Sequence, residues 1–186
     1  MSTIEARTAD IADAVKRGAD EIDIVLNRSA FLAGDEKRAF EEIVASKDAC
    51  GEAHLKVILE VGELGSYDKI RQASMLAMTA GADFIKTSTG KISQASSLPR
   101  VLCMAEAVRD FAYQTDISVG IKAAGGIRTA KQAWHYLVVI GETLGTKWLN
   151  PGMFRIGASG LLNDVLLQLN RLDSGSYSGP DYVTVD

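Results

Sequence analysis

The chain alternates short, apolar, β-branched runs with longer stretches of helical period, and this alternation constrains its fold more than any other feature. The runs are Glu21–Leu26, Leu55–Leu59, Asp83–Lys86, Ile117–Lys122 and Phe154–Gly157, with helical periodicity at 4–17, 36–49, 67–80, 98–113, 130–144 and 160–171. Strands separated by helices of this length are joined by right-handed crossovers and pair in parallel, so the pattern predicts an α/β fold. Local signals agree. Asp35 stands as an N-cap before a helix whose Phe40, Ile43 and Val44 share one face, and Thr129 with Gln132 forms a capping-box pattern. A repeated Gly-Ala-Asp, at 18–20 and 81–83, ends a helix and enters a strand, with glycine as the left-handed residue past the helix end.

At 186 residues the chain reads as one domain over 1–172, with a flexible tail over 173–186 that holds three Ser, two Gly and a Pro. The length is short for an eightfold βα barrel, which typically takes about 250 residues. Twenty Lys and Arg against 24 Asp and Glu leave a net charge of −4 and no basic half, which excludes a nucleic-acid-binding surface. No apolar run approaches the roughly 20 residues of a membrane span, and the N-terminus has no signal-peptide pattern. Cys50 and Cys103 lack the number and spacing of a metal site or a disulfide framework and read as packing residues. These features predict a cytoplasmic protein in a reducing compartment, with neither membrane nor nucleic acid as partner.

Strands of a parallel sheet are covered on both faces and normally read as unbroken apolar runs. Four of the five here carry an ionisable residue instead: Asp23, Lys56, Lys86 and Lys122, spaced by 33, 30 and 36 residues. Each spacing is one βα unit, so successive strands bring a charge to a similar level of the sheet, and ligands of such sheets bind beyond the strands' carboxyl ends. Lys56 taken alone equally fits a lysine snorkelling to solvent. Asp23, between Ile22 and Ile24, needs a cationic partner such as a strand lysine. Two neighbouring lysines disfavour each other's protonation, and a neutral amine attacks a carbonyl to form a Schiff base, an electron sink for carbon–carbon bond chemistry. Three glycine-bearing turns follow strands: Gly90-Lys91, Gly125-Gly126-Ile127-Arg128 and Gly157-Ala158-Ser159-Gly160. Exposed amides and helix N-termini hold phosphate, so the turns point to a phosphorylated substrate.

The segments Asp83-Phe84-Ile85-Lys86-Thr87-Ser88-Thr89-Gly90-Lys91 and Gly120-Ile121-Lys122-Ala123-Ala124-Gly125-Gly126-Ile127-Arg128 closely resemble the deoxyribose-phosphate aldolase family. The resemblance runs from about residue 5 to 172 and includes Asp20–Val25, Leu55–Glu60 with Gly62-Glu63-Leu64, and Phe154–Ser159. It implies a TIM barrel carrying a class I aldolase that needs no metal or cofactor. Such an enzyme reversibly cleaves 2-deoxy-D-ribose 5-phosphate to D-glyceraldehyde 3-phosphate and acetaldehyde. On this resemblance Lys86 is the Schiff-base lysine, Lys122 the second lysine of the pair, and Asp23 the carboxylate of the proton relay. Gly90, Lys91, Gly125, Gly126, Gly157 and Ser159 fall where the family binds phosphate, and Tyr177 or Tyr182 is the counterpart of a tail tyrosine that assists proton transfer.

The sequence departs from the family at Ala123, where proline is usual, and at Gly160, where a small hydroxyl residue is common. It also matches only about five of eight βα units, the first three strands having no counterpart. Open edges and exposed inward apolar side chains at the strands bearing Asp23 and Arg155 are then expected, with homo-oligomerisation as one consequence. An alternative reading is a catalytically impaired barrel piece that binds a sugar phosphate or a partner chain without turnover.

Overall fold

Each apolar run pairs with the next along the chain. The structure, a computed structural model, describes residues 3–91, 96–176 and 179. Strands β1 (Glu21–Val25), β2 (His54–Ile58), β3 (Phe84–Lys86), β4 (Gly120–Ala124) and β5 (Phe154–Gly157) form one parallel sheet in sequential order. The helices are α1 (Ile4–Lys16), α2 (Arg28–Leu32), α3 (Glu36–Cys50), α4 (Tyr67–Thr79), α5 (Leu98–Thr115), α6 (Ala130–Leu144) and α7 (Leu161–Ser174). A helix follows every strand, so the fold comprises five consecutive units of the (β/α)8 barrel type, with β1 and β5 as open edges among the described residues.

Capping follows the sequence. Asp35 accepts from the Arg38 amide, the Thr129–Gln132 box closes reciprocally, and Gly18 and Gly81 take the expected positive φ of 97° and 96°. One strand is displaced. The run Ile117–Lys122 predicted β4 three residues early: Ile117 is exposed, whereas Ala123 and Ala124, beyond the predicted run, still pair with Ile156 and Gly157. Two short elements escaped the reading, α2 and a 3₁₀ turn at Thr146–Trp148. α7 continues to Ser174, two residues beyond the expected domain end at 172, while Tyr177 and Tyr182 lie outside the described residues.

Side chains alternate across the pleat. Ile24, Leu55, Val57, Leu59, Ile85 and Ile121 face the helices and pack with Ile43, Ala73, Met104, Val108 and Ile140 in one core. The opposite, inward face carries Glu21, Asp23, Lys56, Phe84, Lys86, Lys122 and Arg155, in the registers Asp23↔Lys56, Lys56↔Phe84, Lys86↔Lys122 and Lys122↔Arg155. The expected apolar inward surface is therefore replaced by a network of charges. Exposed apolar side chains are spread over the outer helices, Tyr113 and Trp134 among them, and include Leu162, Leu169 and Leu172 of α7, a helix with no buried residue. Arg155 on β5 hydrogen-bonds Glu21 on β1, so the sheet curls until side chains of its opposite edges meet.

Gly120 leaves the space that the Phe84 ring fills. A Cβ at position 120 would lie 2.2–2.5 Å from three ring carbons. The ring is 4% exposed, and the Arg155 guanidinium lies 4.7 Å from its centroid. It has no easy retreat. Gly120→Ala is expected to destabilise the fold by about 1–3 kcal/mol, read as a lower urea midpoint at unchanged slope.

Candidate active site

An ion-pair chain runs across the inward face from β5 to β3. Glu21 accepts from Arg155 and, at 3.0 Å, from Lys56; Lys56 reaches Asp23 at 2.7 Å; the second oxygen of Asp23 accepts from Lys86 at 2.9 Å. Lys56 does not snorkel. Its side chain is 3% exposed, held between two carboxylates and 5.7 Å from the centre of the Phe84 ring. Burial alone would raise the Asp23 pKa, but hydrogen bonds from Lys56 and Lys86 outweigh it and hold the carboxylate below its usual range. The Arg155 hydrogen bond is the main reason Glu21 lies at about 2 rather than its ordinary 4.5.

Lys86 and Lys122 are direct register partners on β3 and β4. Lys86 is committed to Asp23, whereas no hydrogen bond or ion pair holds the Lys122 ammonium among the described residues. Burial, followed by the positive charge of Lys86, pushes the Lys122 pKa down; Asp23 opposes this only in part. The pair therefore joins an ammonium bound to a carboxylate with a neighbouring amine that gives up its proton more readily than an ordinary lysine.

Both lysines open into a cleft of about 740 Å³ beyond the strands' carboxyl ends. Gly90, Gly125, Gly126, Gly157 and Ser159 line it with Arg128, so seven of the nine predicted site residues share one cavity, and Asp23 adjoins it through Lys86. Lys91 is the exception. It lines a separate cleft of about 470 Å³ with Arg7, Arg28, Glu60 and Glu63, because the Thr89 anchor beside it turns the loop that way.

The glycine turns differ in what their amides are free to do. At the start of α6, Gln132 takes the amides of Arg128 and Thr129, and Asp164 takes that of Ala130. The N-cap of α7, Gly160, has no side-chain cap. The uncapped helix end at 157–160 and the left-handed Gly126 of the neighbouring turn both line the cleft, where free amides suit an anion.

Sequence reasoning missed Glu21, Arg155, Thr89 and Glu60. The first two were readable, since Glu21 lies two residues before Asp23 on the same strand face and Arg155 stands opposite Lys122. Cys50 is buried in the core and half-buried Cys103 donates to the Tyr67 carbonyl at 3.3 Å, consistent with packing roles. Burial raises the pKa of both thiols. No helix among the described residues is long and apolar enough to cross a membrane.

Comparison with known proteins gives a consistent answer. The chain is 47% identical over 175 residues to the deoxyribose-phosphate aldolases of Mus musculus and Homo sapiens, a match that covers 94% of this chain and 55% of each relative. It thus spans about half the length of these curated relatives. A crystal structure from Toxoplasma gondii ME49, provisionally named a deoxyribose-phosphate aldolase, superposes with a TM-score of 0.81 at 25% identity, over 95% of this chain and 68% of that one. Residues 2–163 match the family model described as DeoC/LacD family aldolase, and with the paired lysines, the Asp23 carboxylate and the glycine-walled cleft in one frame, this chain belongs to that aldolase family.

Proposed function

We propose that this chain carries the Schiff-base side of a deoxyribose-phosphate aldolase site, with 2-deoxy-D-ribose 5-phosphate as substrate. The observation that carries the reading is the register pairing of Lys86 with Lys122 at the floor of the glycine-walled cleft. In this reading Lys86 passes its proton to Asp23 or Lys122, and its free amine attacks the C1 aldehyde of the open-chain sugar. Loss of water gives a protonated Schiff base. A base, Lys122 or Asp23, then takes the C3 hydroxyl proton. The C2–C3 bond breaks, its electron pair flows to the iminium nitrogen, and glyceraldehyde 3-phosphate leaves. Protonation of the enamine at C2 and hydrolysis of the imine release acetaldehyde and restore Lys86. The amides at 157–160 and the Arg128 side chain receive the phosphate.

Incubation with deoxyribose 5-phosphate and sodium borohydride tests this directly. The expected result is one substrate-derived mass increment on the peptide bearing Lys86, absent from Lys86→Met. Labelling elsewhere, or none, overturns the assignment. An unlabelled chain that still binds the sugar phosphate would instead be a barrel piece without turnover.

A further inference from the structure

Glu60 combines three features that no step described so far uses. It is a carboxylate only 2% exposed, its backbone is left-handed with φ 54°, and its side chain reaches from the segment just past β2 into the loop that follows β3. The backbone irregularity explains the reach. Leu59 N–H donates to the Lys86 carbonyl and Val61 N–H to the Thr87 carbonyl, so two residues advance on the β2 side where one advances on the β3 side. Glu60 is the extra residue of a bulge, and bulges re-aim a side chain beside functional sites. A non-glycine residue at this φ is held there by its surroundings.

The re-aimed carboxylate grips Thr89. It accepts from the Thr89 hydroxyl at 2.6 Å and from the Thr89 amide at 3.2 and 3.3 Å. Behind it, Arg28 stands 3.8 Å away and is itself held by Glu63 at 2.8 Å. The other flank of the same loop is tied to β4, where Thr87 exchanges two hydrogen bonds with Ala124 and Ser88 donates to the Ala124 carbonyl. Thr89 and Gly90 line the cleft between these two anchorages.

We infer that Glu60 is a positioning residue for the phosphate-binding side of the cleft, fixing Thr89 and Gly90 at the distance from the 157–160 turn that a phosphorylated sugar requires. This rests on the aldolase reading for its substrate, though the clamp itself is a property of the loop. Glu60 contacts neither lysine in the hydrogen-bond and ion-pair network, so its loss acts on recognition of the phosphate rather than on the amine.

The experiment compares half-labelling concentrations at Lys86, under borohydride, for deoxyribose 5-phosphate and for unphosphorylated 2-deoxyribose. Their ratio isolates the phosphate's contribution. In Glu60→Ala the ratio is expected to shrink about tenfold, the scale of one charge-assisted contact, while Glu60→Gln, which still accepts from Thr89, keeps most of it. A ratio unchanged in Glu60→Ala, or equal loss for both sugars, overturns the inference. Amide chemical shifts of Thr89 and Gly90 titrated with inorganic phosphate give a readout independent of the lysines, with the same tenfold weakening expected. If wild type is labelled by neither sugar, the aldolase reading fails and the phosphate titration alone judges Glu60. If circular dichroism shows Glu60→Ala unfolded, Thr89→Val, which removes the hydroxyl that Glu60 holds, judges it instead, and an unchanged ratio in that variant refutes the clamp.

Discussion

Lys122→Arg is expected to slow Schiff-base formation at Lys86 by roughly 10²–10⁴-fold, the range spanned by a positioned acid–base group. Arginine keeps the positive charge beside Lys86 but stays protonated at any working pH, so it cannot accept the proton that the Lys86 amine must lose. The pH profile separates this role from simple charge. Burial and the neighbouring Lys86 charge lower the Lys122 pKa, so the wild-type rate should climb along a limb that lies below the ordinary lysine value of 10.5. Timed borohydride quenching across pH should show that limb in wild type and its absence in Lys122→Arg. A variant that keeps both rate and limb would remove Lys122 from the proton relay and leave Asp23 as its base. Gly157 bears on the same amine, since a Cβ there would stand 2.9 Å from the Lys122 Cε and 3.1 Å from the Ala124 Cβ. The small residue keeps open the room in which Lys122 lies.

Much of this site was legible because a charge in a parallel strand is conspicuous. Asp23, Lys56, Lys86 and Lys122 interrupt apolar runs, and their spacings follow the βα repeat. Their relative height was not legible. Asp23 pairs with Lys56, but Lys86 pairs with Ile58, two residues farther along β2, so the charges occupy two tiers. The four-carbon lysine stem closes the gap and lets Lys86 reach the lower aspartate. Strand ends were harder for a related reason. Ala123 and Ala124 look like turn residues, yet Thr87 extends the ladder by bonding Ala124 through its side chain, which keeps them in the sheet. Glu60 was hidden for want of any periodic signal, because a bulge breaks the period-two pattern from which strand faces are read.

Asp23→Ala is expected to destabilise the protein by about 3 kcal/mol, since it strips a buried ammonium of one partner. Lys56 is 3% exposed, and Glu21 would remain its only carboxylate in the network, itself shared with Arg155. Lys56→Met should be markedly milder. It leaves Asp23 with Lys86 and Glu21 with Arg155, and it places an unbranched apolar chain in the space beside Phe84. The order of the two losses therefore distinguishes a buried charge that needs its partners from a face that merely needs filling. Acid supplies the second half of the test. Both carboxylates have folded-state pKa values below their ordinary ones, Glu21 at about 2 against 4.5, so their stabilisation is fully present above the ordinary values and is lost as pH falls through the lowered ones. Urea titrations should show wild type losing its advantage over Asp23→Ala as pH falls below the ordinary aspartate value of 3.8 and through the lowered one, where protonation removes the same charge that the substitution removes. A gap that stays constant from neutral pH to that point would mean that Asp23 stabilises the face by packing, and that Lys56 finds its compensation elsewhere.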